Sequence, residues 1–151
     1  MADVQQSFST PIEAPADLCF AAIADFDAYP TWSSPITQIT VLDRYPDGFA
    51  RRVEFFLDMK LRVVRYVLEY TWSPPHRLSW TYVEGDLEDI VGSYVFEPLD
   101  ARRTHATCSQ AVGLGFWVPG IIRRTLEATA LRQSVLEFKT EAERRAAGSR
   151  V

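Results

Sequence analysis

The feature that most constrains the fold of this chain is a change of hydrophobic period near residue 113. Between residues 36 and 112, apolar and polar residues alternate with a period of two, and turn residues interrupt the pattern at short intervals. The segment 121–147 then contains neither proline nor glycine, and its apolar residues recur at steps of three and four. This stripe consists of Ala128, Leu131, Val135, Phe138 and Ala142. The pattern predicts antiparallel strands followed by one long amphipathic helix.

The turn signals divide the alternating region into six strands. We expect them at residues 36–44, 49–58, 61–72, 78–82, 90–97 and 104–112. Residues 4–12, which end at Pro11, suit an additional edge strand, since proline cannot donate to a central ladder. Residues 14–23 and 25–32 predict two short helices, and residues 120–147 predict the long one. Arg123 and Glu127 are expected on its charged outer face.

These elements predict an α+β fold in a single domain over residues 1–151. Short connections make neighbouring strands antiparallel, so the sheet has seven antiparallel strands and two short helices after the first strand. One face of such a sheet must be covered, and the long C-terminal helix is the only large element left to cover it. A curved sheet wrapped around a helix leaves space between them, which predicts a cavity. The size of the chain, 151 residues, suits one such domain.

Composition excludes several other classes of function. The formal net charge is −4, which argues against a nucleic-acid partner. Cys19 and Cys108 are too few for a disulfide framework, and the sequence indicates no metal site and no cofactor. No apolar run is long enough to cross a bilayer and the N-terminus has no signal-peptide pattern, so we expect a cytoplasmic protein without stable membrane insertion. Nothing in the sequence indicates the oligomeric state.

The aromatic residues, 13% of the chain, are the strongest functional signal. If the strand faces are assigned correctly, several tyrosines and tryptophans line the side of the sheet that faces the helix. Such rings give rigid apolar walls with polar tips, which suit a hydrophobic ligand, although a solid aromatic core would use the same residues. The predicted lining from the strands and short helices is Trp32, Val53, Phe55, Tyr66, Leu68, Tyr70, Trp80, Tyr82, Tyr94 and Phe96.

Polar residues on the same predicted face are few. Arg51 shares the alternation of Val53 and Phe55, Glu84 follows Tyr82, and Gln110 follows Cys108. A buried charge needs a partner, so these residues either orient the polar head of a ligand or lie at strand ends. We include Arg51 and Gln110 in the site. No acid–base pair and no catalytic residue is indicated.

The glycine-rich segment 113–120, GLGFWVPG, precedes the long helix. It opens like a dinucleotide fingerprint, but Val118 stands at the third glycine position and no βαβ unit surrounds it. The segment instead predicts a hinge-like loop that carries Phe116 and Trp117, as a lid, as a membrane-touching tip or as part of the core. Phe116, Trp117, Ile122 and Leu126 complete the predicted lining.

Several motifs carry a resemblance to a known superfamily. They are IEAPAD at 12–17, IADFDAYPTW at 23–32, the strand around Trp80, GSYVFEP at 92–98 and PGIIRR at 119–124. Together with the element order, they resemble the START-like or helix-grip superfamily, also called SRPBCC or Bet v 1-like. Within it the chain is most similar to the bacterial polyketide cyclase/dehydrase and lipid-transport group, over about residues 4–146.

The resemblance implies a helix-grip fold that holds a hydrophobic molecule, such as a lipid, sterol, isoprenoid or polyketide, between the sheet and the C-terminal helix. We expect a binding protein that carries or senses such a molecule more than an enzyme. The first alternative is a polyketide cyclase or aromatase that shapes its substrate, for which the resemblance suggests Arg51, Tyr66 and Tyr94 as groups that polarise carbonyls. The second is an interaction module, similar to the quinone-chaperone or ribosome-associating relatives.

Overall fold

A computed structural model describes residues 5–60 and 62–148. In this part of the chain the strands are β1 (Gln6–Ile12), β2 (Ile36–Arg44), β3 (Ala50–Asp58), β4 (Val63–Ser73), β5 (Arg77–Gly85), β6 (Asp89–Pro98) and β7 (Thr104–Gly113). The helices are α1 (Ala16–Ala24), α2 (Tyr29–Trp32) and α3 (Gly120–Gly148), with a 3-10 turn at Phe26–Ala28. Val4 and Leu61, which the sequence assigned to strands, lie outside the described residues, as do the ends of the predicted domain.

The strands form one antiparallel sheet in the order β1-β7-β6-β5-β4-β3-β2. Every pair of adjacent strands except β1 and β7 is also consecutive in sequence, because the connections are hairpins. The predicted α+β helix-grip fold is confirmed: a curved seven-stranded sheet, short helices after the first strand and a long C-terminal helix.

The core lies between the inner face of the sheet, α1 and the C-terminal half of α3. Side chains alternate between the two faces of each strand, so every second residue enters this core. Phe96 of β6 and Phe138 of α3 are the largest fully buried side chains there, and Ile12 of β1 is also fully buried.

The C-terminal half of α3 is fixed to the rest of the molecule. Its buried residues begin at Leu131, and Lys139 donates to the carbonyl of Pro11 at 2.8 Å. Arg145 binds Asp25, just after α1, at 3.0 Å. Residues 120–130 of α3 contain no buried side chain. Ala128, which the sequence placed on the packed stripe, is exposed because the helix meets the core only from Leu131 onward.

Candidate ligand-binding site

The inner face of the sheet is lined with aromatic rings in contact with one another. Tyr66 stacks on Phe55 with 5.3 Å between ring centroids, and Tyr94 stacks on Phe96 at the same distance. The predicted residues that the structure brings together on this face are Val53, Phe55, Tyr66, Leu68, Tyr70, Trp80, Tyr82, Tyr94, Phe96 and Gln110. Their role as ligand contacts stays a prediction.

Phe138 occupies the centre of this aromatic face. Its ring lies 5.5 Å from Tyr94, 5.9 Å from Phe96 and 5.8 Å from Trp32, measured between centroids. The middle of the face is therefore packed against α3. Two surface depressions lie elsewhere, one of about 430 Å³ beside Glu13 and residues 100–103, and one of about 390 Å³ along α3 on the side away from the sheet.

The inner face is less covered at its other end, next to the first turns of α3. The residues here are half-buried: Tyr82, Gln110, Val112, Phe116 and Arg123, which we call the mouth. Arg123 holds α3 over this end of the sheet by donating to the carbonyl of Val112 at 3.1 Å. Since no residue of 120–130 is buried, the α3 segment over the mouth is attached by few contacts.

Two polar groups in the aromatic interior lack protein partners among the described residues. The hydroxyl of Tyr94 and the Nε1 of Trp32 are buried, and neither makes a hydrogen bond within the described residues. The thiol of Cys108 lies near the Tyr94 hydroxyl, but a thiol is a weak partner and leaves this donor unsatisfied. A buried donor without a protein partner is costly, so both groups are candidates to bind an acceptor oxygen.

The tyrosines of the inner face are hydrogen-bond donors at physiological pH. Burial raises the pKa of Tyr66 and raises the pKa of Tyr70 and Tyr94 well above the usual tyrosine value. These hydroxyls therefore stay neutral and keep the proton that they would donate to an acceptor oxygen.

Trp80, Gly92 and Gln110 form a row across β5, β6 and β7. The Nε1 of Trp80 donates to the Oε1 of Gln110 at 3.0 Å, which fixes the orientation of that amide. The indole crosses directly over Gly92, where an added Cβ would lie only 2.4 Å from the ring. A glycine in β6 is thus required for Trp80 to reach Gln110. The fixed amide directs its NH₂ group, a second donor, away from Trp80.

A bulge in β3 carries Arg51 to the outer face of the sheet. Arg51 is the extra residue at a register shift between β2 and β3, and an extra residue reverses the alternation of faces. Its guanidinium binds Asp43 at 3.0 Å and Glu69 at 3.4 Å, both on the outer face. The prediction that Arg51 lies beside Val53 and Phe55 is therefore wrong, and Arg51 does not belong to the inner site.

A second bulge has the same effect on Glu84. The pairing of β4 with β5 shifts by one residue at the step from Leu68 to Val67. Beyond this shift Glu84 lies on the outer face, where its carboxylate is 3.6 Å from the guanidinium of Arg65. The inner faces of β3–β7 consequently carry no charged side chain in the described part of the chain.

Two residues that the sequence assigned to solvent lie at the mouth instead. Arg123 and Glu127 form an ion pair at 3.1 Å, with only 26% and 14% of their side chains exposed. They were missed because charged residues usually mark the outer face of a helix. Their spacing of four residues, in the turns just before Leu131, is the signal in the sequence that could have indicated an ion pair on this part of α3.

The remaining predicted residues lie in the loop before α3 and in the first turns of this helix, and the structure does not bring them together. Phe116 is half-buried beneath the guanidinium of Arg62, 5.1 Å from its ring centre. Trp117 is 85% exposed. Ile122 and Leu126 are also exposed, because they lie about half a turn around the helix from the buried residues. Of this group only Phe116 reaches the mouth, so the predicted lining by Trp117, Ile122 and Leu126 is wrong.

Both cysteines are buried and free. Burial raises the pKa of Cys19 to about 11 and the pKa of Cys108 to about 12, so both are protonated thiols. Among the described residues, no group of three or more His, Cys, Asp or Glu side chains could hold a metal ion. In the same residues, no helix is long and apolar enough to cross a membrane.

Comparison with solved structures places the fold in the START-like class. A START superfamily protein from Mycobacterium smegmatis superposes with a TM-score of 0.86 at 19% identity, covering 93% of this chain and 97% of that one. The Zhui aromatase/cyclase from Streptomyces sp. R1128 gives 0.80 at 22% identity, covering 94% of each chain. The protein TTHA0849 from Thermus thermophilus gives 0.79 at 18% identity, covering 97% of this chain and 99% of that one.

A family model matches most of the sequence. Residues 12–139 match the family described as polyketide cyclase/dehydrase and lipid transport, and the chain belongs to this family. A sequence search of curated proteins returned no match. The family and fold suggest hydrophobic-ligand binding or polyketide cyclase or aromatase activity.

Proposed function

We propose that this protein binds a neutral hydrophobic molecule, rich in acceptor oxygens, between the inner face of the sheet and α3. The observation that carries the proposal is the buried hydroxyl of Tyr94, which has no hydrogen-bond partner within the described residues, together with the Nε1 of Trp32. An acceptor oxygen of a ligand, such as a carbonyl or ether, would satisfy these donors. The surrounding rings supply the apolar contact.

The electrostatics of the inner face favour a neutral ligand. No charged side chain lies on the inner faces of the described strands β3–β7, because the two bulges turn Arg51 and Glu84 outward. A carboxylate or phosphate placed there would be a buried charge without a partner, which is expensive. The neutral donors of the tyrosines, Trp32 and Gln110 suit ketones, quinones or sterols better than fatty acids or phospholipid headgroups.

The mouth is the expected route of access. The C-terminal half of α3 is held by buried residues and by the Arg145–Asp25 ion pair, whereas the segment 120–130 buries no side chain. Moving the first turns of α3 away from Val112 would break the Arg123 hydrogen bond and expose the Arg123–Glu127 pair, but it would uncover no buried apolar residue of this segment. A ligand that enters there would have to displace the ring of Phe138 to reach Tyr94.

The same site favours binding over acid–base catalysis. A general acid or base works best with a pKa near the ambient pH. The titratable inner-face groups, Tyr66, Tyr70, Tyr82, Tyr94 and Cys108, all have a raised pKa. They can orient a molecule but are poorly suited to accept a proton from it.

Mass spectrometry of the gently purified protein tests the proposal. We expect a native mass above the denatured mass by that of a neutral hydrophobe, which organic extraction then identifies. If the protein is purified empty, thermal unfolding is measured with a panel of quinones, sterols and aromatic polyketones, and with fatty acids as the charged comparison. Absence of any retained molecule and of any stabilisation by the neutral panel would contradict the proposal.

Cyclisation of a poly-β-keto chain is the second candidate function. The observation that favours it is the set of neutral tyrosine donors on a concave apolar face, which could hold ketone oxygens in a folded arrangement. The Zhui aromatase/cyclase shares the fold. Product analysis with a polyketide synthase would show altered cyclised products for Tyr94→Phe and unchanged products for Arg51→Ala. Identical products with and without the protein would exclude this function.

A further inference from the structure

An exposed apolar cluster at the beginning of α3 is not used by the ligand site. It consists of Trp117, Ile121, Ile122 and Leu126, which are 85%, 77%, 51% and 45% exposed, and we call it the α3 tip. We propose that the α3 tip docks reversibly on the surface of an anionic lipid bilayer. The proposal rests on this surface alone and does not depend on the function proposed above.

The position of the α3 tip explains why residues 5–60 and 62–148 do not cover it. Trp117 lies in the loop before the helix, and Ile122 and Leu126 point about half a turn away from the buried residues Val135 and Phe138. Packing these residues onto the sheet would require rotating α3 and exposing its buried stripe. The α3 tip is therefore left uncovered by the part of the chain that the structure describes.

The charge around the α3 tip matches an anionic surface. Arg123 and Arg124 lie in the first turns of α3, and the first turn carries no acidic residue. The guanidinium of Arg124 reaches back to the first residue of the helix, 4.0 Å from where a Cβ on Gly120 would stand. Glu127, the nearest acidic residue along the helix, is paired with Arg123. Because Glu127 offsets the charge of Arg123, Arg124 supplies the positive charge next to the α3 tip, on a chain with a net charge of −4.

A bilayer fits this surface better than a second copy of the chain. From their exposed fractions, the four side chains present on the order of 500 Å² of surface, whereas a stable dimer buries roughly 800 Å² per partner. Tryptophan beside isoleucine, leucine and arginine is the composition of segments that lie in the interface of a membrane. Since α3 is not apolar enough to cross a bilayer, the contact would be peripheral and reversible.

Vesicle flotation tests the proposal. Purified protein is mixed with vesicles of phosphatidylcholine alone or with phosphatidylglycerol added, and the fraction that floats is measured. We expect flotation with the anionic vesicles and much less with the neutral ones. Trp117→Ser and Ile121→Ser should each weaken the apparent affinity about tenfold, since each removes one buried apolar side chain. Arg124→Glu should weaken binding to anionic vesicles by roughly tenfold or more.

Leu42→Ser is the matched control, because Leu42 on β2 is 50% exposed and lies on another element. It should float like the unmodified protein, and far-UV circular dichroism should be unchanged for all variants. The proposal is overturned if the unmodified protein does not float with either vesicle, or if Trp117→Ser floats as well as Leu42→Ser. A concentration-dependent dimer that Ile121→Ser abolishes would also overturn it, in favour of a contact between two copies. Ligand retention is measured separately, so neither outcome bears on the interior site.

Discussion

Removing the hydroxyl of Tyr94 should stabilise the empty protein and weaken ligand binding. A buried polar group without a partner costs about 1–3 kcal/mol, so Tyr94→Phe relieves the free protein of that penalty. We expect the free energy of unfolding to rise by about 1 kcal/mol, which corresponds to roughly 2–4 °C in Tm for a chain of this size. The same substitution removes the hydrogen bond to a ligand oxygen and should weaken its affinity about threefold to tenfold.

Tyr29→Phe is the matched control for this prediction. Tyr29 is as deeply buried as Tyr94, but its hydroxyl donates to the carbonyl of Ile23 at 2.5 Å. That carbonyl lies in the last turn of α1, where no helical N–H is available to it. Tyr29→Phe should therefore lower the free energy of unfolding by about 1–2 kcal/mol.

Urea unfolding followed by circular dichroism separates the two variants. With an m-value of about 2 kcal/mol/M, a difference of about 2–3 kcal/mol moves the two midpoints apart by roughly 1 M. If Tyr94→Phe destabilises the protein as much as Tyr29→Phe does, the Tyr94 hydroxyl has a partner in the empty protein and the reasoning is refuted. An unchanged affinity for an identified ligand would refute the second half of the prediction.

Three further predictions concern packing, charge and thiol reactivity. Gly92→Ala should lower the free energy of unfolding by about 1–3 kcal/mol, because its Cβ would overlap the indole that crosses it, whereas Gly120→Ala should be nearly neutral; urea midpoints compare them. The pKa of Glu141 is lowered from 4.5 to about 2, first by its hydrogen bonds to neighbouring arginines. The ionised carboxylate therefore contributes fully to the free energy of unfolding above about pH 4.5, and this contribution is lost as the pH falls toward 2. Stability measured from pH 6 to 2 should therefore fall less steeply in Glu141→Gln; equal slopes would contradict this. Cys19 and Cys108 should resist a thiol reagent at pH 8 until urea unfolds the protein; rapid labelling of the native state would show that they are accessible.

The register of the strands limited what the sequence could predict about the site. Alternation correctly placed Tyr66, Trp80 and Tyr94 on the inner face, because regular strands repeat every two residues. It failed at Arg51 and Glu84, where a single extra residue reverses the faces. Bulges depend on how two strands pair, and one strand read by itself carries little sign of them.

The helix shows a similar limit. The steps of three and four between Leu131, Val135, Phe138 and Ala142 identify the face that packs, and all four residues are buried. The same periodicity continues through Ala128, yet the first turns of α3 leave the core. Where a helix stops touching its sheet is decided by the length and curvature of the sheet, which the helical sequence does not contain.

The sequence by itself determined the type and order of the elements, because hydrophobic period, proline and glycine act over a few residues. It also determined the aromatic character of the interior. Only the tertiary structure decided that the interior has no charged side chain on its described strands β3–β7, that Phe138 occupies its centre, and that the Tyr94 hydroxyl is left without a partner among the described residues. These properties arise from contacts between residues far apart in the chain. The α3 tip is likewise defined by what the rest of the fold leaves uncovered.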